Sequence, residues 1–284
     1  MSILVNKQSR IIVQGMTGNQ GSFHTKLMLN YGTNIVAGVT PGKGGQSIHN
    51  VPVYNSVQEA LNDHQPDWSV IFVPAKFCKA AALEALENNL NIVIITENLP
   101  VHDVIEIMQK AKGKDLTVIG PNCPGLLTTN EAKLGIIPGH IFKKGNIGLV
   151  SRSGTLTYEI VNEIVKGGHG ISTAIGIGGD AIIGTDFIQA LKLFEQDQET
   201  EKIVLVGEIG GNLEEKAAEY IKTNIKKEVV AYITGVTAPK GKRMGHAGAI
   251  ISGKTGTAKS KIQALEQANV KVAKLPSEIA KLLN

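Results

Sequence analysis

Short β-branched runs alternate with longer amphipathic stretches along the whole chain, and this rhythm constrains the fold more than any other feature. In the N-terminal part it predicts strands at Arg10–Gln14, Asn34–Val39, Ser69–Val73, Asn91–Thr96 and Leu116–Ile119. Helices are predicted between them at Gln20–Tyr31, Ser56–Asp63, Lys76–Asn88 and His102–Lys112. The order then starts over with strands at Asn146–Val150, Ser172–Ile177, Ile203–Ile209, Glu228–Thr234 and Val270–Val272. The helices of this second series are Thr155–Lys166, Asp186–Glu195, Leu213–Thr223, Ala258–Ala268 and Ser277–Leu283. Strands joined through helices run parallel, in a sheet covered on both faces. Pro121, Pro124 and Gly125 break the rhythm near Gly120–Asn130, so the boundary is placed there. The expectation is two doubly wound α/β domains, residues 1–121 and 122–284.

Composition removes several alternatives. No apolar run reaches the roughly 18 residues needed to cross a bilayer, so no membrane role is expected. The start, Met1–Lys7, has neither a signal-peptide nor a transit-peptide pattern, which predicts a cytoplasmic, bacterial protein. Cys78 and Cys123 stand alone, without zinc-type spacing, and no metal site is expected. The net charge of +4 is nearly all lysine, arginine occurring only at positions 10, 152 and 243, and aromatics are 4% of the chain. Nucleic-acid surfaces lean on Arg and interleaved aromatics, so that partner is not expected either. Glycine is in excess, 32 of 284 residues, and it clusters just after the apolar runs.

Those clusters lie where open α/β sheets bind ligands, beyond the carboxyl ends of the strands. Gly15-Met16-Thr17-Gly18-Asn19-Gln20-Gly21 joins a strand to a helix. Its glycines would let backbone approach a pyrophosphate at a helix N-terminus, a reading preferred over a bare tight turn. An NAD site wants an acid at the end of the next strand. That strand instead runs into Thr40-Pro41-Gly42-Lys43-Gly44-Gly45, which suits a ligand with an extra phosphate, coenzyme A or NADP. In the second half, Ser151-Arg152-Ser153-Gly154-Thr155 opens a helix, and its hydroxyls suit anion binding and ordinary N-capping equally.

Glu208 ends a very apolar strand before two glycines. His246 stands in Thr237–Ala249, a long loop of small residues that leaves its imidazole accessible, with Lys240, Lys242 and Arg243 nearby. Without a second metal ligand beside it, the histidine is a candidate general base or covalent nucleophile. Gly248–Thr255 matches the P-loop pattern letter for letter, yet it lacks a preceding strand and a following α/β domain, and is read as a chance match.

Together these residues resemble the α subunits of succinyl-CoA synthetases (succinate–CoA ligases), nearly end to end. The likeness rests on Gln14–Gly21, Gly38–Gly45, Gly120–Gly125, Ser151–Tyr158, Gly207–Gly211 and Gly235–Ile250. It implies an N-terminal Rossmann-like CoA-binding domain and a C-terminal flavodoxin-like domain carrying a phosphohistidine. His246 matches the phosphorylated position and Glu208 the carboxylate that orients it. Thr17, Gly18, Asn19, Gln20, Lys43, Thr96, Glu97 and Asn98 match CoA contacts. Tyr158 matches a residue near the substrate, and Ser153, Gly154 and Thr155 a phosphate cradle. The chain departs from the expected pattern at Asn98, where glycine is usual, and at Ala181 and Ile183, where prolines are usual.

The implied activity is reversible succinyl-CoA formation from succinate, CoA and ATP or GTP. A β subunit would bind the nucleotide with Mg2+, in an αβ or α2β2 assembly. A CoA- or dinucleotide-sensing module and an NADP-dependent dehydrogenase are the alternatives. The first leaves His246 and Glu208 without purpose, and the second lacks the ribose-binding acid.

Overall fold

The computed structural model describes residues 3–239, 241–251 and 256–284. The chain divides into two compact units. One comprises Val5–Ile137 with Ile182–Gly184; the other comprises Pro138–Ala181 and Thr185–Asn284 with the extreme N-terminus. Residues 122–137, placed beyond the boundary in the sequence reading, cluster with the first unit. No helix among the described residues is long and apolar enough to cross a membrane.

The first unit runs β1 (Ile11–Gln14), α1 (Asn19–Tyr31), β2 (Ile35–Val39), β3 (Ser47–Ile48), β4 (Val51–Tyr54), α2 (Val57–Asp63), β5 (Trp68–Ile71) and α3 (Ala75–Glu87). It continues with β6 (Asn91–Ile94), α4 (Val101–Gly113), β7 (Val118–Ile119), β8 (Gly125–Thr128) and β9 (Ala132–Gly135). The sheet order is β3-β4-β2-β1-β5-β6-β7. All its pairs are parallel except β3 with β4. Counting only the parallel strands gives 3-2-1-4-5-6, the Rossmann order, with the direction reversing at β1. Ile12, Ile71, Ile92 and Ile94 of the strands bury against Cys78, Ala82, Ala85 and Leu86 of α3 and Ile107 of α4.

Two hairpins escape the sequence reading. The β3–β4 turn is His49-Asn50, with φ of 52° and 66° at the two residues. Both lie in the left-handed region that a two-residue hairpin turn needs, but His-Asn lacks the glycine that normally signals it. The β8–β9 hairpin is antiparallel, and its second strand, Ala-Lys-Leu-Gly, has no β-branched residue. It is held to the end of α1: Thr33 Oγ1 donates to Lys133 O and accepts from Lys133 N, both at 2.9 Å.

The second unit runs β10 (Lys144–Ser151), α5 (Gly154–Lys166), β11 (Ile171–Gly176), α6 (Phe187–Gln196), β12 (Lys202–Glu208), α7 (Leu213–Asn224) and β13 (Glu228–Thr234). Then come α8 (Ala258–Gln267), β14 (Lys271–Ala273) and α9 (Ile279–Leu282). The helix expected at Ser277–Leu283 is a 3₁₀ turn, Pro276–Glu278, followed by the short α9. The strands of this unit run β14-β13-β12-β10-β11, all parallel. Numbered from β10 this is 2-1-3-4-5, the flavodoxin order, and β10 is the switch point. Ser151 pairs with Val206, so the loops after β10 and β12 leave the sheet side by side.

Candidate active site

The first candidate site lies at the carboxyl edge of the first unit's sheet, beside its switch strand β1. Gly15 turns the chain with φ 80° and donates from its N–H to Val39 O at 2.8 Å. A Cβ on Gly21 would lie 2.1 Å from Gly15 O, so α1 can seat against this turn only with glycine there. Gly18, the N-cap of α1, provides no side-chain cap, and the first turn holds no acid. The leading N–H groups and the positive end of the helix dipole are thus open to an anion. Gly18, Asn19 and Gln20 are exposed and Thr17 is half-buried.

Lys43 lies in the loop after β2, the strand beside β1. Asn55 Oδ1 accepts from Gly42 N and Gly44 N, both at 3.0 Å, and so clasps the loop around the lysine. Among the described residues no carboxylate pairs with the Lys43 ammonium. Thr96, Glu97 and Asn98 follow β6 at the same edge, and Thr96 Oγ1 donates to Val73 O at 2.6 Å. Asn98 has φ 62°, in the left-handed region that glycine adopts freely and asparagine tolerates better than most residues.

The second candidate site is built from side chains. His246 Nδ1 lies 2.7 Å from Glu208 Oε2, at the end of β12. With a carboxylate on Nδ1 the proton sits on that nitrogen, and Nε2 carries the free lone pair. A Cβ on Gly179, in the loop after β11, would come 2.2 Å from His246 Cγ. Gly248 N donates to Gly179 O at 3.0 Å, which ties the histidine loop to that glycine. The hydrogen bond from His246 to the Glu208 carboxylate raises the His246 pKa above its ordinary value, against the opposing effect of burial. Asp180 adds to the rise and Arg152 opposes it.

Arg152, directly before the α5 cap, approaches Glu208 Oε1 with its NH2 at 3.4 Å and Glu214 Oε1 with its NH1 at 3.2 Å. Ser153 accepts from Leu156 N at 3.3 Å, so it does cap the helix. One acceptor leaves other N–H groups of the first turn, at Gly154 and Thr155, without an intrahelical partner. Tyr158 stands about one turn further along α5, half-buried.

The structure thus groups His246, Glu208 and the Ser153–Thr155 helix start in the second unit, and the Thr17–Gln20, Lys43 and Thr96–Asn98 segments in the first. Lys240 and Ser252–Thr255, the end of the P-loop-like string, lie outside the described residues. No strand precedes Gly248 in the described stretch that follows β13. Sequence reasoning missed Arg152 as a buried ion, and Glu214, Lys261 and Asn55 altogether. A signal for two of these was present. Glu214 shares the α7 face of Ala217, Ala218 and Ile221, and Lys261 shares the α8 face of Ala258 and Leu265.

Comparison with known proteins follows the same division. A CoA binding domain profile matches residues 6–98 and a CoA-ligase profile matches residues 150–271. The chain is therefore of the CoA-ligase class. The succinate–CoA ligase [ADP-forming] subunit alpha 2 of Archaeoglobus fulgidus is 56% identical over 284 residues, covering 100% of this chain and 99% of that protein. The subunit alpha of Staphylococcus aureus is 54% identical, covering 100% of this chain and 94% of that one. The chain belongs to the succinate–CoA ligase α-subunit family. Among solved structures, ATP citrate lyase from Methanothrix soehngenii, in complex with citrate and coenzyme A, superposes with a TM-score of 0.90 at 25% identity. That match covers 99% of this chain and 50% of the other. The dinucleotide forming acetyl-coenzyme A synthetase 1 of Ca. Korarchaeum cryptofilum shares the fold with a TM-score of 0.77, at 20% identity over 96% of this chain and 59% of that one. The chain spans about half the length of these solved structures.

Proposed function

We propose that the chain is the α half of a succinate–CoA ligase and works by nucleophilic catalysis through His246. In the first step His246 Nε2 attacks the terminal phosphorus of ATP or GTP, and the nucleoside diphosphate leaves. A succinate carboxylate oxygen then takes the phosphoryl group from Nε2, giving succinyl phosphate. The CoA sulfur attacks its carbonyl carbon, and inorganic phosphate leaves. Glu208 holds the Nδ1 proton throughout, so Nε2 is the nucleophile and the ring can carry positive charge while phosphorylated. The first turn of α5, at Ser153–Thr155, offers N–H donors to the phosphoryl oxygens, and Tyr158 lies toward succinate.

Coenzyme A is assigned to the first unit. The uncapped α1 terminus, the close seat of Gly21 on Gly15 and the unpaired Lys43 fit a phosphate-rich ligand. Thr17, Gly18, Asn19 and Gln20 would meet the pyrophosphate, with Lys43, Thr96, Glu97 and Asn98 around it. CoA binding is assigned to residues 1–121 and transfer to 122–284, of which 122–137 and 182–184 cluster with the CoA-binding unit. A β subunit, in an αβ or α2β2 assembly, supplies the nucleotide site with its Mg2+. The place of action is the cytoplasm. The sensor and dehydrogenase readings leave the Glu208–His246 pair idle.

The observation that carries this reading is the 2.7 Å bond from His246 Nδ1 to the buried Glu208. Its test is incubation of the chain with the β subunit and γ-labelled ATP, then mass mapping. The label is expected on the His246 peptide, labile in acid and stable in base, as a P–N bond requires. An acid-stable label, or one on another residue, overturns it.

A further inference from the structure

Behind the Glu208–His246 pair lies a buried set of charges that the proposed chemistry does not use. Glu214 and Lys261 have no exposed side-chain surface, and the Arg152 side chain is 2% exposed. Glu214 is gripped from two sides. Its Oε1 accepts from Arg152 NH1 at 3.2 Å, and its Oε2 accepts from Lys261 Nζ. Lys261 also reaches Glu215 Oε2 at 3.1 Å and donates to Gly211 O at 3.2 Å. Glu214 Oε1 further accepts from the backbone N–H of Glu208 at 3.1 Å. One carboxylate on α7 therefore touches the main chain of Glu208 and the cation that faces the Glu208 side chain.

Arg152 is divided unequally. Toward Glu214 and Gly210 O it donates hydrogen bonds at 3.2 and 3.3 Å. Toward Glu208 it makes only the 3.4 Å charge contact, and Glu208 Oε1 and Arg152 Nε are both buried without a hydrogen-bond partner among the described residues. A buried carboxylate oxygen with no donor is costly, so something must hold Arg152 back. The bonds to Glu214 and Gly210 do so.

We infer that Glu214, clamped between Arg152 and Lys261, is a positioning residue that sets how much of Arg152 the Glu208 carboxylate receives, and so how strongly Glu208 grips the Nδ1 proton of His246. The inference rests on the proposed phosphoryl transfer, because that chemistry needs the Nδ1 proton held and Nε2 free. Removing Glu214 would hand Arg152 to Glu208 and weaken its hold on the imidazole. Removing Lys261 would leave Glu214 to draw Arg152 further away and strengthen that hold. The charged groups near the ring are Glu208 on β12, Arg152 after β10 and Asp180 after β11, with Arg243 Nε donating to His246 O at 3.3 Å on its own loop. Glu214, Glu215 and Lys261 form the layer behind them.

The test is an NMR titration of the His246 ring in the full chain, carried out for the parent, Glu214→Gln and Lys261→Met. The Glu214→Gln midpoint is expected to fall by about one pH unit and the Lys261→Met midpoint to rise by a similar amount. Lys261→Arg, which keeps the charge, should keep the parent midpoint. A purely structural role would move both midpoints alike or neither, and either result overturns the inference. Removing one partner of a buried pair can prevent folding. The double variant Glu214→Gln/Lys261→Met removes the fully buried pair together and leaves only the partly exposed Glu215 without its cation, and its midpoint should fall; an unchanged midpoint again overturns the inference. Failure of the parent complex to label His246 would instead refute the proposed function, and the titration does not depend on that result.

Discussion

The two candidate sites sit at equivalent places, the carboxyl edge of a parallel sheet beside its switch strand, yet they are made of different material. At the β1–α1 loop the working groups are backbone N–H donors, exposed by glycines and left free by an uncapped helix. At the end of β12 they are side chains from several elements, a half-buried His246 backed by buried ions and held by opposite charge. Binding a phosphate needs a fixed, weakly charged cradle that releases its ligand unchanged. Covalent transfer needs a group whose proton is controlled, and proton control requires buried, coupled charges. The comparison predicts that damage at either site leaves the other's measurable act intact.

The largest effect is expected from His246→Asn. Phosphoryl labelling in the complex should vanish, because the amide has no nucleophilic nitrogen, while calorimetric CoA affinity stays at the parent value. Residual label on the variant would place the acceptor elsewhere, and a parallel loss of CoA affinity would break the separation of the two sites. Gly21→Ala is the converse probe. Its Cβ would meet Gly15 O at 2.1 Å, so the turn must open or the helix must shift. CoA affinity should fall about tenfold or more, with roughly 1–3 kcal/mol lost in stability by denaturant titration. His246 labelling should persist, and Gly21→Ala with parent CoA affinity would remove the loop from the site.

The pH dependence is the next largest effect, and it belongs to the second unit. Glu208 raises the His246 pKa above about 6.5, and the attacking imidazole must be neutral. The labelling rate should therefore fall about tenfold per unit as pH drops below the folded-state pKa, and Glu208→Gln should move that limb lower. Stability runs the opposite way. The charged pair contributes fully below the unfolded pKa near 6.5, and its contribution is lost as pH rises through the higher folded value. A flat labelling profile between about pH 5.5 and 8 would deny His246 its role.

The same contrast explains what could be read from the sequence. The glycine cradle is local: strand, turn and helix are consecutive, so Gly15, Gly18 and Gly21 disclose it without a fold. Glu208 and His246 could be named because each sits in a stretch of small residues that marks a strand edge or a functional loop. Their supporting charges could not be assembled that way. The apolar faces of α7 and α8 mark Glu214 and Lys261 as buried ions, but Arg152 carries no such mark, and the three come together only through the parallel order of β10 and β12 and the packing of α7 on α8. Asn55, which orders the Lys43 loop, follows a hairpin whose His-Asn turn carries no glycine signal. The strand orders 3-2-1-4-5-6 and 2-1-3-4-5 likewise needed the structure, since periodicity fixes the alternation and not which strands are neighbours.

The smallest expected effect tests the one cationic side chain assigned to the first site. Lys43 is exposed, and its loop is held by backbone bonds to Asn55 that do not involve the ammonium. Lys43→Ala should therefore leave the loop in place and remove only a screened charge contact, weakening CoA binding by up to about fivefold at low salt. The difference should shrink as salt is raised, because a contact at the protein surface is screened within about 10 Å at 0.1 M. Calorimetry with CoA at two salt concentrations measures both numbers, and dephospho-CoA separates the 3′-phosphate from the pyrophosphate. If the variant and the parent differ with CoA but not with dephospho-CoA, Lys43 faces the 3′-phosphate. If they differ with both, it faces the pyrophosphate. If they differ with neither, Lys43 is a surface lysine and the first site holds its ligand without a cationic side chain, which would sharpen the contrast with the buried charges of the second site.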